Sequence, residues 1–451
     1  MINLLLLIAL LGGASCSQDL CQQEKCLCGY NMYKNTKTHF SMDCSENEFD
    51  TLPNIKEMPE HFDELDVSQN NIKLLTKGSF ASATLKVLIA NHNEITEVSM
   101  EFLKRIPNLK HLDLSHNHLK KLDAKVFQAA TSLHHLDLSF NKLSTLQDGL
   151  FKPVKTLQFL DLSYNNVGSY LMNLKDLHDP KLGITKDLPN LKLNRLNITD
   201  LPTDFFTNSS LIYLSLDDNR LKEIPKLPYT IQYLDLSGNL FTTLNVKHLN
   251  YHKLKKLRLT RLPLLEKIEK YAFYNLQDLE FLYIENCPRL MDFNDMAFGA
   301  LVDHEGLKLK SISLAGNALN RLNTTYYHLF NDLERVDLSN NPWICDCDIL
   351  WFKLIKNKLM NKNSVRCALP SKLRNSSILT LTERDLPKCT VGSGWNTHKV
   401  LVSIIAVLCA MLVAIVAYII YLGPFKSVVQ NKFVGTQSPY TVVVREDMIT
   451  T

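Results

Sequence analysis

The sequence lacks every constellation of residues that would point to an enzyme. It has no G-x-S-x-G nucleophile motif, no Gly-rich phosphate loop and no H-E-x-x-H metal site; His304-Glu305 is not followed by a second histidine at the required spacing. We therefore expect no catalytic residues, no metal and no cofactor. A membrane-tethered enzyme is the rival from another functional class, and it would need an acid, base or metal cluster elsewhere in the chain.

The chain also has little net charge and no low-complexity tract. Its 451 residues include 50 Lys plus Arg and 46 Asp plus Glu, a formal charge of +4. An excess this small in so long a chain does not indicate nucleic acid or another polyanion as a partner. We expect no nucleic-acid binding.

What the sequence does contain is a repeat. LKHLDLSHNHL, which starts at Leu109, and LHHLDLSFNKL, which starts at Leu133, align with an offset of 24 residues. This period indicates a solenoid, in which each unit contacts only its neighbours. The frame L-x-x-L-x-L-x-x-N recurs about twelve times, and its last position is filled by Asn70, Asn93, Asn117, Asn141, Asn165, Leu196, Asn219, Asn239, Leu262, Cys287, Asn317 and Asn341.

Each part of this frame has a structural meaning. The spaced leucines predict a short strand with alternate side chains in the core, and stacked strands form a parallel sheet. The Asn can bond backbone groups of neighbouring repeats, so Asn117→Ala should cost about 1–3 kcal/mol. A phenylalanine follows many of the frames: Phe80, Phe102, Phe127, Phe151, Phe273 and Phe298. One such ring per repeat favours packing in the core over a cofactor pocket.

Eight of the eleven cysteines form two groups of four that bracket the repeats. This usage indicates an oxidising compartment. The first group has the spacing C-x4-C-x-C-x15-C, and C-x-C in a secreted chain disfavours the alternative of a zinc site. The second group follows Asn341-Pro342-Trp343, and the apolar residues Trp351, Phe352, Leu354, Ile355 and Leu359 predict a short amphipathic helix over the last repeat.

From about Cys21 to Cys389, these features resemble the extracellular leucine-rich-repeat family with N- and C-terminal cysteine caps, as in single-pass receptors and adhesion proteins, including Toll-like ectodomains. The resemblance does not extend to a Toll-type cytoplasmic domain. It implies an α/β solenoid, a horseshoe with a parallel β-sheet on its concave face and disulfide-bonded caps. The pairing in that family implies disulfides Cys21–Cys28, Cys26–Cys44, Cys345–Cys367 and Cys347–Cys389.

Two apolar segments flank this region. Leu4–Leu11 and the small residues after it predict a signal peptide over residues 1–16, although no Lys or Arg precedes the run. Val400–Leu422 would reach about 35 Å as a helix, enough to cross a bilayer. We therefore expect an N-terminal cap at 17–51, repeats at 52–341, a C-terminal cap at 342–389, a stalk at 390–398, a transmembrane helix at 399–422 and a cytoplasmic tail at 423–451.

Two kinds of modification are predicted. Four sequons indicate N-glycosylation of Asn197, Asn208, Asn323 and Asn375. In the tail, Tyr440 begins a Y-x-x-Φ pattern, which suggests a sorting signal or phosphorylation. The tail is too short for a signalling domain of its own, so signalling would require a cytoplasmic adaptor.

The strand positions that cannot enter the core are the expected binding surface. Aromatic and Arg side chains are enriched at binding hot spots. We expect a partner site on the concave face with a basic centre at Arg258, formed by Phe159, Tyr213, Tyr233, Lys256, Arg258, Arg261, Phe281 and Tyr283. An insertion at Tyr170–Lys186 is either a binding loop or a plain surface bulge.

Histidines recur at equivalent positions of the early repeats. His92 should lie beside His116, and His111 beside His135, one strand spacing or roughly 5 Å apart. Such pairs could bind a metal or titrate between about pH 5 and 8. Solvated side chains on a sheet face are the favoured interpretation.

The sequence therefore predicts a plasma-membrane glycoprotein with one transmembrane segment and an extracellular N-terminus. Its expected function is to bind an extracellular protein ligand or a partner cell-surface protein. A co-receptor or ligand-sequestering protein without signalling of its own is the alternative. A homodimer formed through the ectodomain is a further hypothesis.

Overall fold

The computed structural model describes residues 20–21, 25–30, 39–54, 56, 58–76, 78, 80–300, 306–386 and 405–418. The chain forms two compact units, residues 1–387 and 388–451. The predicted signal peptide, stalk, cytoplasmic tail and Tyr440 lie outside the described residues, as do residues 399–404 and 419–422 of the predicted transmembrane helix. Residues 405–418 are helical. No helix within the described ranges combines the length and the apolar character needed to cross a membrane.

The first unit is built on one sheet of fourteen strands. In chain order they are β1 (Leu27–Tyr30), β2 (Phe40–Asp43), β3 (Glu64–Asp66), β4 (Val87–Ile89), β5 (His111–Asp113), β6 (His135–Asp137), β7 (Phe159–Asp161), β8 (Asn190–Lys192), β9 (Tyr213–Ser215), β10 (Tyr233–Asp235), β11 (Lys256–Arg258), β12 (Phe281–Tyr283), β13 (Ser311–Ser313) and β14 (Arg335–Asp337). β1 pairs antiparallel with β2, and every later pair is parallel. The predicted parallel solenoid is confirmed.

Alternation along each three-residue strand explains the core. The central residues, such as Leu112, Leu136 and Leu160, are fully buried, while the residues on either side are half-buried, apart from the buried polar residue Asp161. Full burial of a leucine contributes about 1.5–3 kcal/mol, so a stack of them holds the strands in register. The six phenylalanines predicted for the interior are buried as well.

The frame asparagines bond adjacent repeats together. The Asn117 side-chain amide donates to the Ala90 carbonyl at 2.9 Å and to the Leu114 carbonyl at 3.2 Å, and its Oδ1 accepts from the Ile95 backbone N–H at 2.9 Å. Asn141 makes the same set of bonds one repeat later. Each such side chain therefore satisfies buried backbone groups of two repeats.

Cys287 occupies the asparagine position in the tenth repeat. Its Sγ lies 3.4 Å from the Leu259 carbonyl oxygen, so the thiol can donate where the Asn amide would. Burial raises the pKa of this thiol to about 11. It therefore stays protonated at neutral pH and can keep this donor role.

Short elements connect the strands on the other side of the repeats. Ser99 begins one helix by accepting a hydrogen bond from the Phe102 N–H at 3.2 Å. The elements are α1 (Met100–Leu103), α2 (Gly168–Met172), α3 (Tyr326–Asp332), a 3₁₀ turn at Val126–Ala129, the paired strands Leu74–Leu75 and Glu97–Val98, and a three-stranded sheet of Thr243–Leu244, Lys267–Ile268 and Asp292–Phe293.

The insertion between the fifth and sixth repeats is folded into the core. It begins with α2, and Leu171, Leu174, Leu177 and Leu182 are all buried. A Cβ at Gly168 would lie 1.9 Å from the Leu196 carbonyl oxygen, so only glycine allows this close approach. The leucines make this segment a structural bulge rather than a free loop.

Both ends of the solenoid carry disulfides. Cys21–Cys28 and Cys26–Cys44 lie in the N-terminal cap, and Cys345–Cys367 lies in the C-terminal cap. Cys347 is also disulfide-bonded, and Cys389, its predicted partner, lies outside the described residues.

The amphipathic helix predicted for the C-terminal cap is confirmed in part: Trp351, Phe352, Ile355 and Leu359 are buried, but the helix ends before the last two of them. A 3₁₀ helix spans Cys347–Lys353, and Leu354 is 65% exposed. The chain leaves the helical path to cover the edge of the sheet: the Val336 N–H donates to the Lys358 carbonyl at 3.0 Å, and the Met360 N–H donates to the Val336 carbonyl at 2.8 Å. The cap also contains the pair Trp343–Ile344 and Cys367–Leu369, and 3₁₀ turns at Lys362–Ser364, Ser371–Leu373, Ile378–Thr380 and Glu383–Asp385.

Candidate binding surface

Three columns of side chains run across the repeats outside the core. The strand column holds the first residue of each of β3–β14, and the acid column holds the third residue, which is often Asp. The turn column holds the residue before the frame asparagine: Gln69, His92, His116, Phe140, Tyr164, Arg195, Asp218, Gly238, Arg261, Asn286, Gly316 and Asn340. Because the strands are in register, neighbours within a column are about one strand spacing apart.

In the strand column, three rings of β5–β7 form a continuous stack. The ring centroids of His111 and His135 are 4.0 Å apart, as are those of His135 and Phe159, and both pairs are within 6° of parallel. Lys192 Nζ lies 5.1 Å from the Phe159 centroid. Burial, with a smaller contribution from His111, lowers the pKa of His135 to about 4. His135 is therefore neutral at pH 7.

The acid column places Asp113, Asp137 and Asp161 on adjacent strands. Burial, followed by the charge of Asp161, raises the pKa of Asp137 to about 6. Asp137 Oδ1 also accepts the Ser139 N–H at 2.8 Å, and the other two carboxylates make the same local bond. The column therefore has a structural role in the turns in addition to its surface charge.

The turn column contains a longer stack across repeats two to six. Ring centroids are 4.0 Å apart for His92 and His116, 4.0 Å for His116 and Phe140, and 3.8 Å for Phe140 and Tyr164. The Arg195 guanidinium carbon lies 5.5 Å from the Tyr164 centroid and ends the stack. Burial, followed by the charge of His92, lowers the pKa of His116.

The predicted basic centre is ion-paired. Arg258 Nε lies 3.3 Å from Asp235 Oδ2 on the neighbouring strand, and the Arg258 and Lys256 cations both lie within 6 Å of the Tyr283 ring, at 5.6 and 5.4 Å. Arg261 Nη2 lies 2.8 Å from Asp217 Oδ1. The centre therefore balances cations against carboxylates and is not a free positive patch.

The carboxylates on this part of the surface also influence one another. Burial, then Asp235 and Asp218, raise the pKa of Asp217 to about 6, while Arg261 opposes the shift. Arg261 Nη2 lies 3.2 Å from Asp218 Oδ1 as well. One guanidinium thus reaches two adjacent carboxylates of the seventh repeat, two strands away from its own.

The structure brings most of the predicted site together. Lys256 and Arg258 lie beside Phe281 and Tyr283 in register, with Tyr233 and then Tyr213 on the preceding strands. Phe159 lies apart, because β8 separates β7 from β9, and it belongs to the histidine stack. The binding role of these residues stays a prediction.

Sequence reasoning missed part of this surface. Tyr164 and Arg195 were not assigned to the turn column, and Asp217 and Asp218 were not recognised as partners of Arg261. The signal was available, because each turn-column residue directly precedes a frame position.

The histidine pairs are stacked rather than arranged around a shared ligand. Across the described ranges, no three His, Cys, Asp or Glu side chains are grouped to hold a metal ion. Parallel rings also direct their nitrogen lone pairs side by side instead of toward one point. All four sequon asparagines, in contrast, are exposed, as glycan attachment requires.

Two family models match the chain. One is described as Leucine rich repeat and matches residues 60–119 and 107–167; the other is described as BspA type Leucine rich repeat region (6 copies) and matches residues 184–280 and 242–344. Together they cover more than half of the chain. The chain belongs to the leucine-rich-repeat proteins. Its disulfide-bonded N-terminal cap agrees with the resemblance stated above.

Individual relatives match parts of this leucine-rich-repeat chain. Chondroadherin of Rattus norvegicus is 31% identical over 100 residues, 22% of this chain and 26% of that protein. Trophoblast glycoprotein of Rattus norvegicus is 34% identical over 90 residues, 19% of this chain and 21% of that protein, and the Macaca fascicularis protein is 37% identical over 84 residues, 17% of this chain and 20% of that protein. The chain thus spans about a quarter or less of these relatives.

Solved structures share the fold over much of the chain. A chain of the octameric complex of Latrophilin 3 (Lec, Olf), Unc5D (Ig, Ig2, TSP1) and FLRT2 (LRR) superposes with a TM-score of 0.50 and 21% sequence identity. The match covers 81% of this chain and 98% of that chain. At this identity, the likeness concerns the solenoid fold alone.

Proposed function

We propose that this leucine-rich-repeat chain is a plasma-membrane glycoprotein that binds an extracellular protein partner through the exposed face of its parallel sheet. The observation that carries the proposal is the cluster of Lys256, Arg258, Phe281 and Tyr283 on β11 and β12. Adjacent strands of the sheet place these side chains side by side, and aromatic and Arg side chains are enriched at binding hot spots.

Other features support an extracellular location. The N-terminal cap and one pair of the C-terminal cap are disulfide-bonded, which suits an oxidising compartment. The four sequons are exposed, and we propose that they carry glycans. The apolar segment at 399–422 is proposed to anchor the chain with its N-terminus outside, leaving a short tail for a cytoplasmic adaptor or sorting signal at Tyr440.

The test is a binding screen with the full-length chain displayed on cells. A panel of secreted and cell-surface ectodomains would identify the partner. The double variant Tyr233→Ala plus Arg258→Glu should then weaken binding by about tenfold or more, because it removes an exposed aromatic group and reverses the cation at the centre of the cluster. Display level, measured with an antibody tag, controls for folding.

Tyr229→Ala is the matched control. Tyr229 is in the same repeat as Tyr233 and is more exposed, at 70% against 38%, but it precedes the strand. Its loss should leave affinity unchanged. Equal affinity losses in the control and the double variant, or no loss in either, would remove the sheet face as the binding surface.

The alternative is a co-receptor or ligand-sequestering protein without signalling of its own. Clustering of cells that express the chain would favour adhesion. Capture of a soluble ligand with no cellular response would favour sequestration. Turnover of a substrate by the displayed chain would instead revive the enzyme hypothesis.

A further inference from the structure

The turn column of repeats two to six holds side chains that its backbone disfavours. All twelve turn-column residues have positive φ, and His92, His116, Phe140 and Arg195 have φ between 51° and 52°. The left-handed region costs a residue with a Cβ roughly 1–2 kcal/mol. Every repeat has this backbone geometry, so repeats two to five are distinguished by the rings that occupy it.

The same chain shows what a relaxed turn column looks like. Gly238 and Gly316 occupy the position at φ 65° and 70°, and Asn286 and Asn340 occupy it at φ 56°. Glycine and asparagine tolerate the left-handed region best. Bulky rings in four consecutive repeats are therefore not required by the turn itself.

A shallow groove of about 600 Å³ follows this stack, and its charge has one sign. Lys142, Arg195 and the three histidines His92, His116 and His118 contribute to its lining, and none of the described residues that line it is Asp or Glu. The nearby Asp113 carboxylate accepts from the Asn91 side-chain amide at 2.8 Å and from the Ser115 N–H at 2.9 Å. Asp113 is not among the residues that line the groove, so Lys142 and Arg195 supply its fixed charge and favour an anion.

We propose that this groove is a second binding site, which takes an extended acidic segment of a partner protein. The ring faces are covered by their neighbours in the stack, so the rings present their edges, which carry partial positive charge. Carboxylates can contact those edges and the cations at either side. The site is independent of the Arg258 cluster, and neither proposal requires the other.

The size of the stack fits such a segment. From the His92 centroid to the Arg195 guanidinium, the successive separations span about 17 Å. An extended chain advances about 3.3 Å per residue, so roughly five residues would cover the stack. Phe140 lies in the middle, opposite the centre of such a segment, where an apolar residue between carboxylates would pack.

The hydrogen-bonding groups of the groove favour a peptide over a polysaccharide. The side-chain amides of Asn117, Asn141 and Asn165 line the groove but are already bonded to backbone groups of the solenoid. Few amide groups are thus left for sugar hydroxyls. The covered ring faces also remove the flat surface on which a sugar ring would stack.

The experiment uses the full-length chain on cells and a defined probe. The probe is the biotinylated peptide Gly-Ser-Asp-Glu-Phe-Glu-Asp-Ser-Gly on labelled streptavidin, whose four sites compensate for weak single contacts. The neutral counterpart is Gly-Ser-Asn-Gln-Phe-Gln-Asn-Ser-Gly. We expect at least about tenfold more binding of the acidic probe, and a decrease with added salt because exposed charges are screened.

Two variants place the binding in the groove. Lys142→Asn plus Arg195→Asn removes two cations of the groove, and Phe140→Asn replaces the central ring by a residue that the turn column accepts elsewhere. Each should reduce acidic-probe binding severalfold at unchanged display level. The matched control, Arg220→Asn plus Lys222→Asn, removes two exposed cations outside the groove and should have no effect.

Several outcomes would overturn the proposal. Equal binding of the acidic and neutral probes, or no binding of either, would reject an acidic-peptide site. Undiminished acidic-probe binding by both groove variants would place the contact elsewhere. Labelled heparin that binds through Lys142 and Arg195, while the acidic peptide does not bind, would assign the groove to a polysaccharide instead.

Discussion

Repeats two to five and repeats six to twelve have the same backbone arrangement, but they differ in the buried residues at the frame position and in the side chains of the turn column. In the first region every frame position is Asn, whereas Leu196, Leu262 and Cys287 interrupt the second. The turn column shows the opposite trend, with stacked rings in the first region and mostly Asp, Gly, Asn or Arg in the second. The region with the most regular interior therefore has the most unusual surface, so regularity in the interior does not require regularity on the surface.

The largest expected effect tests the interior half of this comparison. Asn117→Ala should lower the free energy of unfolding by about 1–3 kcal/mol, because it leaves buried backbone groups of two repeats unpaired. Cys287→Ala, in the second region, should cost less, since a thiol is a weak donor. Urea unfolding followed by circular dichroism measures both, with His118→Ala as the exposed control. Equal losses at the two positions would contradict the comparison.

Carboxyl groups with a raised pKa distinguish the two regions at neutral pH. The folded-state pKa of Asp137 is about 6, above the unfolded 3.8, so its charge opposes folding at pH 7.5 and stability increases as pH falls through 6. Asp137→Asn should add about 1 kcal/mol at pH 7.5 and almost nothing at pH 3.5.

Asp217 supplies the matched control in the second region. The pKa of its carboxyl is also raised to about 6, but Asp217 is ion-paired with Arg261. Asp217→Asn should therefore stabilise less than Asp137→Asn, as measured by thermal unfolding at both pH values. A larger increase in stability for Asp217→Asn would show that the ion pair with Arg261 does not stabilise the folded state.

A substitution in the strand column should give an effect no larger than this one, but with the opposite dependence on pH. The folded-state pKa of His135 is about 4, below the unfolded 6.5, so the stability contributed by the neutral ring is present above pH 6.5 and is lost as pH falls toward 4. His135→Phe keeps a ring between His111 and Phe159. It should be neutral at pH 7.5 and stabilising by roughly 1 kcal/mol at pH 5, after allowance for solvent screening. A gain of the same size at both pH values would reflect packing and not titration.

The smallest expected effect is at the turn column itself. Phe140→Asn relieves left-handed strain of about 1–2 kcal/mol and loses stacking of about 0.5–1.5 kcal/mol on each side, so the two should nearly cancel. We expect a change in unfolding free energy within about 1 kcal/mol of zero. A loss above about 3 kcal/mol would mean that the stack is mainly structural, and that the strain needs no binding role to account for it.

The interior was predictable from the sequence because one physical rule acts at every repeat. A buried leucine and an asparagine that bonds backbone groups recur at fixed spacing, and the strands that contain Leu112 and Leu136 follow from them directly. The cysteine pairings of the N-terminal cap came from family resemblance. In the C-terminal cap the disulfide Cys345–Cys367 was predicted correctly, but the helix is shorter than predicted, because helical periodicity does not reveal that Lys358 and Met360 pair with the last strand.

The candidate site was only partly predictable. Alignment of the frames placed His111 beside His135, but the ion pairs depend on which side chain of one repeat reaches the next. Asp235 and Arg258 occupy the same column, and this pairing was overlooked although the frame implies it. The stack of His116, Phe140 and Tyr164 needs left-handed backbone at each residue, which propensity would not assign to rings.

The uninterrupted register of the sheet bears on how such a protein can diversify. The long insertion before β8 changes the spacing between two repeats, yet Asn190 still pairs with Phe159 and Lys192 with Asp161. The additional residues lie in the connection between strands, and the strands themselves stay in register. Each outward residue therefore has a fixed position relative to its neighbours on the sheet. A substitution at one such position can change the binding specificity of the surface without disturbing the buried residues beneath it.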